Sequence, residues 1–164
     1  MKKFLFLFSI SLVVLTAGCS LSPDSKSFLS TSTIVKFNDS EINTYIADEE
    51  SERNLGLGDI AELEWNQGML FVYDESDEYS YWMKDVEYPI DIIWLSDDYI
   101  VDITENVPPE AEGTSLLQYQ SYSPHAPVNR VLEVNAGYVQ ENNVKIGDII
   151  KIISDSPVFL LEEG

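Results

Sequence analysis

Apolar and polar positions change over in short runs along this chain, and few runs are long enough for helices. Thr33-Ile34-Val35-Lys36-Phe37 predicts a strand, Asn38-Asp39-Ser40 supplies turn chemistry, and Ile42 to Ile46 predicts a returning strand. Asp48 suits an N-cap. Glu49, Glu50 and Glu52 favour a helix N-terminus, and Gly56 or Gly58 would stop the resulting helix 49–55. Met69 to Tyr73 is almost continuously apolar, the pattern of a strand covered on both faces. The acidic run Asp74 to Glu78 reads as a loop, Tyr79 to Lys84 as the next strand, and Ile90 to Leu95 as another. Asp97-Asp98 predicts a tight turn, since Asp tolerates left-handed backbone, and Tyr99 to Thr104 completes that hairpin. Pro108-Pro109 to about Gln120 is a long loop, extended by Pro124 and Pro127. Arg130 to Val134 and Ile149 to Ile153 predict strands, and Ala136 to Glu141 a short helix. Val158 to Leu161 suits an edge strand or a cover over a barrel mouth. The expected fold class is mostly β (α+β), a small single-domain barrel or sandwich with two short helices.

The first residues follow a different pattern. Lys2 and Lys3 precede an apolar stretch, Phe4 to Leu15, which ends at Leu15-Thr16-Ala17-Gly18-Cys19. This is the layout of a secretory signal, and it is short for a membrane span. Its last five residues resemble the lipobox of bacterial lipoproteins. The resemblance implies diacylation of Cys19, cleavage before it and acylation of the new amino terminus. Two or more acyl chains anchor stably, where one chain binds only marginally. Ser20 is not the Asp that signals inner-membrane retention, so the outer membrane is favoured if the host has two membranes. The expected organisation is a signal over 1–18, a lipidated Cys19 with a Ser-rich tether to 32, a domain over 33–154 and a tail over 155–164. The expected location is the cell envelope, with the acyl chains on Cys19 as the membrane contact.

Charge narrows the function further. Nine Lys and Arg stand against 29 Asp and Glu, a formal charge of −20. Such a chain is repelled by nucleic-acid phosphates, so no nucleic-acid partner is expected. One cysteine and one histidine exclude a disulfide within the chain and a Cys/His metal cage. The run Asp74 to Glu78 lacks the spacing of a calcium loop, and Gly56-Leu57-Gly58 lacks the glycine pattern of dinucleotide sites. No metal and no cofactor are expected.

Six separated blocks together resemble a known family. They are Glu52 to Leu57, Gly68 to Tyr73, Tyr81 to Asp85, Tyr88 to Trp94, Val131 to Gly137 and Ile146 to Asp148. Their order and spacing resemble domain-of-unknown-function family 192 over about residues 33–153. The resemblance implies a compact β-rich domain, frequently exported or membrane-anchored, and no established activity. The chain departs from the family pattern at Gly58, where Met is common, and at Asp85, where Asn is common. It carries Asp97-Asp98 where Asp-Gly is common, and no Cys between Tyr119 and Tyr122. The last departure argues against a catalytic thiol.

Several residues are candidates for chemistry, each with a structural alternative. Trp82 and Lys84 share one strand face and could form a groove in which Trp82 stacks a ligand and Lys84 offers a charge; Glu105, Tyr122 and Arg130 would complete it. Alternatively, Trp82 is a core aromatic with Lys84 snorkelling beside it, the commoner use of a large aromatic. Asp91, among Ile90, Ile92 and Ile93, needs a partner, with Lys84 and Arg130 as the available cations. It reads as a structural ion pair or strand-entry cap, or as a carboxylate tuned for acid–base work. Asp91 and Glu105 are the candidate catalytic pair of a glycosidase-type site. His125 has no neighbouring nucleophile in sequence and reads as solvated. The leading expectation is a non-enzymatic, lipid-anchored envelope domain that binds a ligand or partner, such as an envelope glycan or protein. The alternatives are an envelope polysaccharide hydrolase using Asp91 and Glu105, and a purely structural lipoprotein.

Overall fold

A computed structural model describes residues 32–37 and 40–153. Cys19 with the signal and tether, residues 38–39 of the expected turn, and the segment Val158 to Leu161 lie outside the described residues. The elements are β1 (Ser32–Phe37), β2 (Ser40–Ala47), α1 (Glu50–Leu55), β3 (Gln67–Asp77), β4 (Ile90–Ser96), β5 (Tyr99–Val107), β6 (Val128–Asn135), α2 (Tyr138–Glu141) and β7 (Ile150–Ile153). The mostly-β class with two short helices is therefore the observed one.

All seven strands form one curled, half-barrel sheet in the order β5-β4-β6-β3-β2-β1-β7. Among the described residues only β2 and β3 pair in parallel; the other strand pairs are antiparallel. A parallel pair cannot be joined by a tight turn, so the chain between them must cross over. That crossover carries α1 and a 3-10 turn, Gly56–Asp59. The two edges approach at one end, where Ile100 donates its amide to the Asp148 carbonyl at 2.9 Å and Ile150 to that of Asp98 at 2.9 Å.

Strand alternation gives the sheet two apolar faces, and each is covered. On one face Ile42, Leu70, Ile93, Leu132 and Val134 pack with Phe37, Ile100, Ile150 and the α2 residues Tyr138 and Val139. On the other, Ala47, Met69, Phe71, Ile92, Trp94 and Val131 pack under Leu57, Leu63, Met83 and Val86 from the crossover and the 78–89 connection. Two covered faces explain why the central strands read as continuous apolar runs. This second layer builds the cleft described below.

Three sequence expectations need correction. Tyr79 to Lys84 is not a strand of the sheet. It is extended chain lying over the sheet, bridged only to Tyr122 by paired amide–carbonyl bonds of 2.8 Å. Its alternation is real, because Met83 is buried and Lys84 exposed, but period 2 reports an extended segment with one covered side, not a ladder. Asp74 to Asp77 is strand, not loop: β3 continues past an irregularity and pairs Asp77 with Val128. Acidic composition there reports solvent exposure, since the backbone still finds its ladder. The N-cap of α1 is Glu49, not Asp48. The Glu52 carboxylate reaches back to the amides of Asp48 and Glu49, both at 3.2 Å.

Gly56 ends α1 at φ 55° and ψ −143°, a conformation that side chains rarely adopt. Asp97 takes φ 53° in the β4–β5 turn, as expected, and Asp85 takes φ 61°. Asn and Asp are the residues that enter this region most readily after glycine, so Asp suits both positions.

Candidate functional site

The site forms where the second apolar layer fails to close. Glu133 lies on β6, opposite Met69 of β3 on one side and Ile92 of β4 on the other. Neither neighbour can pair with a carboxyl, so Glu133 is an acid in an apolar row. It is 5% exposed. Above it is a cleft of about 310 Å³, walled by α1 and the Gly56 turn on one side and by Ser80 to Val86 on the other. Arg53, Phe71, Tyr73, Tyr81, Trp82 and Lys84 line it, with Glu133 among them.

The walls are held by aromatic and carbonyl contacts. Tyr81 sits edge-on to Phe71 at 5.1 Å and to Trp94 at 5.5 Å. Its hydroxyl bonds that of Tyr73 at 2.8 Å. Tyr73 stacks on Tyr79, with ring centres 3.6 Å apart. Its ring also carries the Arg53 guanidinium 5.0 Å from its centre. Arg53 Nη1 donates to the carbonyl of Asp48 and to that of Val72 at 2.9 Å, clamping α1 to β3. Lys84 pairs with Asp85 at 3.1 Å. Both cations of the cleft thus have local partners.

Glu133 has none. Among the described residues no hydrogen bond or ion pair reaches its carboxyl, and burial alone pushes its pKa up to about 8. It is therefore largely protonated at neutral pH. Burial also raises Tyr73, although its bond to Tyr81 works the other way, and raises Tyr81 well above the usual phenol value. Tyr88 is pushed up to about 12 by burial, then by Glu133 and Tyr45. Its hydroxyl is the one fully buried side-chain polar atom without a partner among the described residues. The cleft floor thus holds neutral, proton-bearing oxygens in a poorly solvated environment.

The structure splits the sequence candidates. Trp82 and Lys84 line the cleft, and Trp82 is 61% exposed, so it is no core aromatic. Trp94 fills that role, with its indole N–H donating to Thr104 Oγ1 at 2.9 Å. Tyr122 holds the cleft wall through its backbone pairing with Tyr81 and does not line the cleft. Arg130 points to the sheet face away from Glu133 and pairs with Asp98 of the β4–β5 turn. Glu105 is exposed on β5, outside the cleft.

Asp91 is fully buried on the opposite face from Glu133. Neither Lys84 nor Arg130 is its partner. Its two oxygens accept the amides of Asn106 at 2.8 Å and Val139 at 3.0 Å. Backbone donors satisfy it, so of the two structural readings the ion pair falls and the strand-entry cap holds, joining β4, β5 and α2. Asp91 and Glu105 do not share the cleft. His125, expected to be solvated, does expose its ring, but Nδ1 bonds Asp102 Oδ2, which also accepts the His125 amide at 2.9 Å.

Sequence reasoning missed Glu133, Arg53, Tyr73 and Tyr81 as site residues. The signal for Glu133 was available: it is the one acid within Val131-Leu132-Glu133-Val134, a strand apolar on both faces.

Comparison with known proteins places this architecture. A family model, DUF192, described as an uncharacterised ACR, matches residues 33–152. No curated protein matches the chain in sequence. Crystal structures of similar fold include a Sinorhizobium meliloti 1021 protein described as a proposed transcription regulator. It is 26% identical, with a TM-score of 0.66 over 76% of this chain and 95% of its own. A Novosphingobium aromaticivorans DSM 12444 protein of unknown function is 24% identical, with a TM-score of 0.63 over 74% of this chain and 83% of its own.

Proposed function

Because this chain belongs to the DUF192 family, whose description assigns no activity, we propose a function from its cleft: it is a lipid-anchored envelope domain that binds a small ligand between α1 and the Ser80–Val86 segment. One observation carries the binding role. Glu133 is a buried acid that faces the cleft with no partner among the described residues. An unpaired buried polar group costs free energy, and a ligand that satisfies it recovers that cost on binding. Exposed Trp82 at the cleft wall adds an apolar surface against which a ligand can pack. Asp91 is committed to two backbone amides, and neither it nor Glu105 lines the cleft, so the cleft does not support the candidate hydrolase pair. The regulator description of the Sinorhizobium protein is not extended to this chain, whose charge of −20 opposes contact with nucleic-acid phosphates.

The anchor rests on the motif ending at Cys19. Cells grown with a labelled fatty acid should label the protein, and Cys19→Ser should abolish the label and shift the protein to the soluble fraction. The binding role is tested by a thermal-shift screen of glycans, peptides, amines, anions and nucleotides. A true ligand raises the midpoint with dose, and Trp82→Ala and Glu133→Gln reduce the rise. If no compound shifts the midpoint, the binding role is lost and the structural lipoprotein reading stands.

A further inference from the structure

The ligand class follows from the buried acid of the cleft that has no partner among the described residues. Resting on the binding role above, we infer that the cleft takes an organic cation, an ammonium-bearing small molecule whose nitrogen contacts the Glu133 carboxyl while its carbon groups pack against Trp82. The two cations already at the cleft do not compete for this place. Arg53 is committed to two carbonyls and the Tyr73 ring, and Lys84 to Asp85. The carboxyl of Glu133 is left facing the cleft with apolar Met69 and Ile92 beside it. Indole is the aromatic surface that cations favour most, and Trp82 has no aromatic partner among the described residues. A chain of charge −20 also concentrates cations near its surface.

Binding is linked to a proton. Glu133 holds its proton up to about pH 8, so an arriving ammonium displaces that proton to solvent. The groups around it are Tyr73 from β3, Tyr45 from β2, Tyr81, Lys84 and Tyr88 from the covering connection, and Glu50 and Arg53 from α1. Burial raises Tyr73, Tyr81 and Tyr88, so these phenols keep their protons across the same range.

Calorimetric titration of the protein with choline and with propylammonium, against the neutral choline isostere 3,3-dimethylbutan-1-ol and N-acetylglucosamine, decides the matter. Moderate salt screens the general surface charge. The cations should bind at one site at least tenfold tighter than the isostere. Affinity should rise up to tenfold per pH unit toward pH 8, and one proton should be released per cation at pH 7. Glu133→Gln and Trp82→Ala should each weaken cation binding at least tenfold. Trp82→Ala keeps the test valid if the first variant unfolds, because Trp82 is exposed. Tighter binding of the sugar or isostere, or cation binding that both variants retain, overturns the cation assignment. In the first of these outcomes the binding role survives. If no probe binds and the wider screen is also empty, both readings fall.

Discussion

Asp91 Oδ2 accepts the backbone amide of Val139 at 3.0 Å, tying the start of β4 to the first turn of α2. Its other oxygen holds the Asn106 amide at 2.8 Å, where β5 departs from regular pairing with Asn106 at φ 55°. One buried side chain therefore fixes the end of a strand and the helix that covers the sheet. Asp91→Asn keeps one acceptor and turns an NH₂ group toward an amide donor. We expect a loss of about 1–3 kcal/mol. Urea unfolding should show a lower midpoint at unchanged slope, with faster hydrogen exchange at Val139 and Asn106.

Trp82 and Trp94 should respond oppositely to truncation. Trp94 is fully buried and touches Tyr81. Trp94→Ala should cost about 3–5 kcal/mol through the cavity it leaves. Trp82→Ala should stay within about 0.5 kcal/mol, as surface changes do. Chemical denaturation of the two variants beside the wild type measures both.

Glu133 should make the protein less stable as pH rises. Its folded pKa of about 8 lies above the ordinary carboxylate value, so the folded state holds a proton that the unfolded chain releases. Its favourable contribution is complete below about pH 4, where both states are protonated, and declines as pH rises toward 8. Glu133→Gln removes the titration while keeping the shape. The variant should gain on the wild type by an amount on the order of a few kcal/mol between pH 5 and 8. Thermal midpoints of both proteins across that range would read the widening gap; parallel curves would contradict it.

Gly68 leaves no room for a side chain. A Cβ there would stand 2.7 Å from the Glu133 carbonyl oxygen and 3.2 Å from Val134 Cγ1. The near atom is backbone in a central ladder and cannot swing away. Gly68→Ala should cost about 1–3 kcal/mol by forcing β3 and β6 apart. A crystal structure or the thermal midpoint of the variant would show it, and the cleft floor at Glu133 should shift with the strand.

Much of the fold was legible because local signals coincided. The Asp97 turn, the Gly56 helix stop and the apolar runs of β3, β4 and β6 each follow from the backbone preference or period of a few adjacent residues. Tyr79 to Lys84 shows where this stops. Its alternation truly marks an extended, half-covered segment, yet whether such a segment joins a sheet or lies across it depends on where hydrogen-bonding partners are free. Here the partner was Tyr122, 41 residues away.

The candidate site divides along the same line. The chain's chemistry of charge, its missing second cysteine and its family blocks are properties of composition and order, so they needed no coordinates. Partnership is not such a property. Asp91 and Glu133 are both single acids set among apolar neighbours in sequence, and nothing local distinguishes them. Folding places Asp91 against two amide donors and Glu133 between Met69 and Ile92 beneath a cleft. Buried acids differ by what lies across the sheet from them. Register among strands distant in sequence settles that, so one carboxyl became a scaffold bond and the other the centre of the site.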